Sequence, residues 1–221
     1  MAYQYGGTGN TSPPERDAKQ RIIDAAIELY SDHGFNGVTI KDVAAGANVS
    51  APLVIHHFGS KAGLRKICDK YAAQRVYESK ARAIEMGKQF TPEQMLLHSA
   101  KNRPILRYLV QALIAGGEEV DALMDQLVDD AVQYTAEAID QELIKPSPDE
   151  RRRAVMLLLQ GFGSMMLHRQ MKRLLGSSPM TDPPAEWGPY LTTIFDIYTN
   201  GVFEPEAYRG LYEGLAAQED S

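Results

Sequence analysis

Apolar side chains along this chain recur at three- and four-residue spacing, and no stretch alternates with period two. β-branched residues never cluster as they do in strands, so the pattern predicts an all-α fold. Ile22, Ile23, Ala26, Ile27, Leu29 and Tyr30 mark the core side of a first helix, from about Pro14 to His33, which Gly34 stops. Val43, Ala44 and Ala47 give a short second helix an apolar side small enough for another helix to cross closely. Thr39 opens it as a hydroxyl N-cap, with Asp42 three residues on to complete a capping box. Asn48, one of the few non-glycine types that tolerates positive φ, closes it in a tight turn. Ser50 caps a third helix with Pro52 in its first turn. That helix runs to about Phe58, and Gly59 breaks it before Ser60 caps a fourth. The stripe Leu64, Ile67, Cys68 and Tyr71 carries the fourth helix to about Val76. Its continuation, ESKARAIEMGKQ, is polar on most sides and reads as a strut between domains.

Three segments follow: an arm over residues 1–12, rich in small polar residues and expected to be disordered, a domain with its connecting helix over 13–85, and a second helical domain over 86–221. Four helix starts share a Ser, Thr or Asp followed by Pro, at Ser12, Thr91, Ser147 and Asp182, and the first three complete a capping box. The pattern predicts further helices from Pro92 to about Ser99, from Pro104 to Ala115 and from Glu118 to Ile144. One long helix is expected from Pro148 to Leu175, then a loop, GSSPMTDPP, a helix from Ala185 to about Thr199, and a last one from Glu204 to Ala217.

Composition changes this picture in three places. No apolar run approaches the eighteen residues of a membrane span, and the N-terminus lacks the basic and apolar regions of a signal peptide, so a soluble cytoplasmic protein with no membrane partner is expected. The one cysteine, Cys68, excludes an internal disulfide; its place in an apolar stripe suits buried filler, with a redox or ligand role as the alternative. The net charge of −6 is unevenly spread. Through Tyr71 there are eight Lys/Arg against seven Asp/Glu, and beyond it 15 against 22. Acidity lies in the second domain, which spares the first one strong repulsion from a polyanion.

Two short helices joined by a three- to four-residue turn form the unit that places its second helix in a DNA major groove. The residues T-x-x-x-V-A-x-x-A-x-V-S from Thr39, followed by H-H-F-G-S-K-x-x-L from His56, resemble the N-terminal domain of the TetR family of bacterial transcriptional regulators. The match spans roughly Arg16 to Tyr71. Two positions depart from the family pattern: Asn48 stands where Gly is usual, and Ile55 where a Tyr directs its phenol to a DNA phosphate. The resemblance implies an N-terminal helix-turn-helix, three-helix DNA-binding domain and a C-terminal helical bundle for dimerisation and ligand binding. It implies Thr39 and Lys61 at phosphates, Ala51, Pro52, Leu53 and His56 near bases, and His57 toward the backbone, with Lys41, Ser50 and Ile55 on the same surface. That surface holds few polar groups, so thymine methyls and DNA shape are expected to matter more than hydrogen-bond readout. Arg16, Lys19 and Arg21 are further candidates for phosphate or minor-groove contact.

In the second domain the stripe Val155, Leu159, Phe162 and Met166, with Tyr108, Tyr134 and Met165, is expected to line an apolar effector pocket, His98 or Tyr108 supplying a hydrogen bond. The stripe Leu157, Gly161, Ser164 and His168 has the small residues of a close helix–helix interface and is expected, with Tyr190 and Ile194, to hold a homodimer. Ordinary core packing is the alternative for each of these residues. Enzyme signatures are missing. His56 and His57 point about 100° apart on a helix and cannot chelate one metal. No HExxH, CxxC or P-loop pattern occurs, and Gly161-Phe162-Gly163 lies inside a helix. No metal or cofactor is expected. Three readings remain: a repressor that leaves a near-palindromic double-stranded operator when a small apolar or amphipathic effector binds; a ligand-independent architectural DNA binder; and a helical scaffold or enzyme with a vestigial DNA head.

Overall fold

The structure is a computed structural model that describes residues 15–219, and side chains over 18–218. The arm, the Ser12 cap, the helix start at Pro14 and the Arg16 side chain lie outside the described residues. Among those described there are α-helices and short 3-10 turns and no strands, as the three- and four-residue periodicity predicts. The helices are α1 (Glu15–Gly37), α2 (Ile40–Gly46), α3 (Ala51–Phe58), α4 (Lys61–Met86), α5 (Pro92–Lys101), α6 (Arg103–Ala115), α7 (Glu118–Asp140), α8 (Glu150–Met166), α9 (His168–Leu175), α10 (Gly188–Asn200) and α11 (Pro205–Glu219). No helix among the described residues is long and apolar enough to cross a membrane.

One compact unit runs through Met166 and a second begins at Leu167. In the first, α1 packs along α6 and α4 along α7, around a core of Ile22, Ala26, Tyr30, Val43, Val54, Phe58, Leu64, Leu109 and Leu127. The α1 backbone leaves helical geometry at Gly34 (φ 68°, ψ 170°). The chain then tucks Phe35 between Tyr30 and Tyr108, at ring distances of 4.8 and 5.5 Å. α4 continues unbroken past residue 85, and the compact unit includes helices on both sides of that position. The expected division at 85/86 therefore does not coincide with a gap in the packing.

Two expected helices, 118–144 and 148–175, differ from the observed ones at three points. α7 ends at Asp140, not Ile144, because Glu142 takes φ 56° and the amides of Glu142 and Leu143 bond back to Ile139 and Ala138. A glutamate in that role leaves no signature in the sequence. α8 begins at Glu150, since Asp149 caps the Arg152 amide at 2.8 Å while Ser147 receives only the Glu150 half of its box. The long helix expected over 148–175 is broken at Leu167 (φ −90°, ψ 21°), and α9 belongs to the second unit.

The second unit is organised by Trp187, which is buried and donates Nε1 to the Asp182 carbonyl at 2.9 Å. Asp182 accepts from the Ser178 amide and from Lys172, and its carboxyl is held below the usual carboxylate range chiefly by Lys172. The segment expected as a loop is thus a packed turn, and a 3-10 turn over Pro184–Glu186 delays α10 to Gly188.

Candidate nucleic-acid interface

The turn between α2 and α3 is fixed by the backbone. Thr39 accepts the Asp42 amide at 3.2 Å, and Asp42 Oδ2 accepts the Thr39 amide at 2.8 Å and its hydroxyl at 2.7 Å, a complete capping box. These bonds hold the Asp42 carboxyl below its ordinary range. At the other end Asn48 adopts φ 54°, its amide donates to Ala45 at 3.1 Å, and the Val49 amide donates to Ala44 at 2.9 Å. This is the paired bond pattern of a Schellman turn, with Asn in the place usually held by Gly. Ser50 then caps α3 by accepting the Leu53 amide.

α3 buries Val54 and Phe58 and presents Pro52, Ile55 and His56 outward, with Ala51, Leu53 and His57 half-buried beside them. Ile55 is 44% exposed, so the position usually taken by a phosphate-seeking Tyr faces solvent here without a donor. The joint from α3 to α4 is tight. Gly59 takes φ 73°, the Ser60 amide donates to Phe58 at 2.8 Å, and the Ser60 hydroxyl caps the Gly63 amide at 2.9 Å. A Cβ at Gly63 would lie 2.1 Å from the Phe58 carbonyl oxygen, so only glycine fits.

Two expected phosphate contacts are engaged within the protein. The Thr39 hydroxyl serves the capping box, and the Lys61 ammonium bonds the Phe35 carbonyl at the α1–α2 turn. Lys61 therefore braces the head as well as charging it. Lys41, Lys19, Lys66 and Lys70 are exposed, and Arg21 is half-buried.

A family description, bacterial regulatory proteins of the tetR family, matches residues 22–66, and a second, the tetracyclin repressor-like C-terminal domain, matches 100–204. The HTH-type transcriptional regulatory protein RaaS of Mycobacterium tuberculosis is 37% identical over 205 residues, 91% of this chain and 92% of its own. The chain belongs to the TetR family. The biofilm operon negative regulator IcaR of Staphylococcus aureus is 42% identical over 43 residues, 20% of this chain and 23% of its own. Among solved structures, Bacillus subtilis FadR in complex with stearoyl-CoA aligns with a TM-score of 0.55 at 15% identity over 83% of this chain and 99% of that one. A tetR-family regulator from Streptomyces coelicolor aligns at 0.57 and 17% identity, over 83% and 80%. These two likenesses concern the fold. As a TetR-family member the protein is a DNA-binding transcriptional regulator and not an enzyme.

The residues expected around an effector in this TetR-family chain are divided between core and surface. Tyr108 is fully buried and donates its hydroxyl to Asp69 Oδ1 at 2.6 Å, beneath the DNA head, so it is core and not pocket lining. Phe162 joins the same core, whereas Met166 is exposed, so the two do not share a wall. The inward edge of α8 is Ala154, the half-buried Leu158 and Phe162; it shares Phe162 with the expected stripe, whose Leu159 is exposed. Met165 is half-buried. Tyr134 is half-buried against Tyr77, ring centroids 6.5 Å apart, and burial pushes its phenol up to about 12. His98 does reach a cavity, between α4 and α5, but its Nε2 is held 2.7 Å from the Ser79 hydroxyl and 2.9 Å from the Ser79 carbonyl. The expected dimer stripe is cut at Leu167. Leu157 is exposed, Gly161 and Ser164 are half-buried on α8, and His168, Tyr190 and Ile194 are half-buried in the second unit.

The sequence reading missed Gly63 and the polar group around Asp69. Gly63 was legible in principle, as a glycine four residues after another at a helix start. Asp69 sits in an apolar stripe, and only the fold shows that Tyr108 meets it.

Proposed function

We propose that this regulator is a homodimeric repressor that holds a near-palindromic operator with the α3 helices of its two heads and releases it when a small amphipathic effector binds the body. The observation that carries the dimer is the apolar side chains left exposed on α8 and α10: Met156, Leu157 and Leu159, and Phe195 and Tyr198. A monomer gains nothing by exposing these in one region of each helix, and small residues such as Gly161 admit close helix approach. The weak charge of one head, net +1 through Tyr71, supports the same conclusion, because pairing doubles the phosphate contacts. IcaR, similar over the head, is named a negative regulator, which supports repression; FadR is known with stearoyl-CoA bound, which supports an amphipathic effector. In this division of labour residues 13–85 bind DNA and carry the connecting helix, on whose far end helices of 86–221 are packed; that segment dimerises and senses the effector, in the cytoplasm.

The mechanism is a shift between two placements of the heads, with the effector binding one better than the other. Footprinting on the DNA upstream of the protein's own gene, together with sedimentation, tests it. A protected site with half-site centres about 34–36 Å apart, or a multiple, is expected. A single unpaired footprint from a monomer would overturn it.

A further inference from the structure

The body is acidic, yet one cavity in it is not. Between the distal half of α4, the 3-10 turn Gly87–Gln89 and α5 lies a cavity of about 270 Å³, lined in part by Arg75, Arg82, Lys101, Met86, Phe90 and Leu97. Arg75 is paired with Glu78 at 3.3 Å. Among the described residues Arg82 and Lys101 have no ion-pair or hydrogen-bond partner, although residues beyond Tyr71 carry seven more acidic than basic groups. Two cations left unpaired at one cavity in such surroundings form an anion-attracting site. The apolar part of the lining is Met86, Phe90 and Leu97, set beside the polar Glu78, Gln94 and the Ser79–His98–Asn102 group. Leu97 is 65% exposed at the mouth, and Phe90 stands edge-on to His98 at 5.9 Å. One part of the lining is pre-organised: Asn102 donates to the Ser79 hydroxyl at 2.8 Å and to the His98 carbonyl at 3.0 Å, tying the end of α5 to α4.

We propose that this cavity is the effector site and that its ligand is a small amphipathic anion. Arg82 and Lys101 take the carboxylate or phosphate head, and Met86, Phe90 and Leu97 take the apolar body. Arg suits a planar or tetrahedral oxyanion through paired N–H donors, and Lys adds a point charge. The size suits a small ligand, just below the common range of ligand pockets. The site also has mechanical reach. α4 is one helix of 26 residues, about 39 Å long, whose first turn is joined to α3 by the Gly59–Ser60 corner. A ligand wedged between α5 and the far end of α4 therefore acts on the DNA-reading helix through a rigid element.

The identification of this cavity as the effector site rests on the ligand-responsive reading above, and the test separates the two. Octyl phosphate, decanoate, 1-decanol and inorganic phosphate are titrated calorimetrically into the full-length protein and into Arg82→Gln, Lys101→Gln and the control Lys145→Gln. The wild type should bind at least one of the two amphipathic anions, and the one bound identifies the head. Decanol and free phosphate should bind at least about tenfold more weakly, as should that anion to either cavity variant, the scale of one lost charge-assisted hydrogen bond. Lys145→Gln should bind like the wild type. All three side chains are exposed, and thermal melting checks that the variants fold. Failure of both anions to bind, equal affinity for decanol, or unchanged affinity in Arg82→Gln and Lys101→Gln would overturn the site. Mobility-shift release by the same probe reads the other claim: binding without release keeps the anion site and removes the effector role.

Discussion

Tyr108 of α6 donates its hydroxyl to Asp69 of α4 across 2.6 Å, joining the helix that leads out of the DNA head to the body behind it. Arg65 completes the group. Its guanidinium lies 4.2 Å over the Phe35 ring and 3.9 Å from Asp69, too far for a hydrogen bond. Burial raises the Asp69 carboxyl above its ordinary range, partly offset by Tyr108 and Arg65, and burial pushes the Tyr108 phenol far up. A carboxylate raised in the folded state favours folding below its unfolded pKa, and that contribution is lost as pH rises through the folded pKa. Wherever Asp69 is ionised in the folded protein, it is therefore charged at a cost.

Tyr108→Phe should destabilise the protein by about 1–3 kcal/mol at neutral pH, because it leaves a buried carboxylate without its donor. The loss should shrink on acidification, as Asp69 takes up a proton. Asp69→Asn keeps an acceptor for the phenol and should be neutral or stabilising at pH 7. Urea unfolding of both variants and of the double variant, at neutral and acid pH, measures this. Equal losses for Tyr108→Phe at both pH values would remove the charge argument.

Gly63→Ala should lower the melting temperature and weaken operator binding together. A Cβ placed 2.1 Å from the Phe58 carbonyl forces α3 and α4 apart at the corner that aims the reading helix. The cost should meet or exceed the about 1–3 kcal/mol of ordinary overpacking. Ala62→Gly, one residue away on an exposed position, should leave affinity unchanged. A Gly63→Ala protein with normal operator affinity would show that the corner tolerates rearrangement.

The head was legible in the sequence because its turns are written in side chains. Thr39, Asp42, Asn48, Ser50 and Ser60 each act where their chemistry predicts. The body was less legible. The 3.6-residue period finds helices there, but with apolar residues on several faces it does not say which face is buried, so on α8 it finds Phe162 and misses Ala154 and Leu158. The stop at Glu142 and the break at Leu167 involve residues with no turn signature. The cavity cations were invisible as a set, because Arg82 and Lys101 are nineteen residues apart and meet only when α5 folds back on α4.

Acid should loosen the reading unit from its α2 end. The Thr39 hydroxyl and then the Thr39 amide hold Asp42 below its ordinary range, so its contribution is present above the unfolded carboxylate pKa, about 4, and is lost as pH falls through the folded value. Amide exchange at Asp42 and Val43 should accelerate below that range, relative to an Asp42→Asn variant whose exchange already lacks the carboxylate. Exchange independent of pH, after correction for the intrinsic rate, would mean that the box adds nothing to α2.

Ile55→Tyr should tighten operator binding by about 0.5–1.5 kcal/mol, the scale of one added hydrogen bond. Ile55 is exposed on the outward side of α3, so a phenol there has room and a phosphate within reach in the proposed complex. Mobility-shift titration at two salt concentrations measures the gain. Weaker binding with an unchanged melting temperature would show that Ile55 itself packs on the DNA.

Gly161→Leu should dissociate the dimer without unfolding the protomer. Within one chain nothing lies within 4 Å of a Cβ at this position, and the Ser164 hydroxyl is turned back onto the Gly161 carbonyl at 2.7 Å, leaving the surface between them flat. A leucine is therefore accommodated in a monomer and clashes only where a second copy approaches closely. Inserting such a side chain into packed space costs about 1–3 kcal/mol, counted once from each protomer across a two-fold axis. Sedimentation should show monomers at micromolar concentration, circular dichroism should keep the helical signal, and operator affinity should fall because one head binds alone. A variant that stays dimeric moves the interface away from α8, while one that loses helical signal means that Gly161 is packed within the protomer.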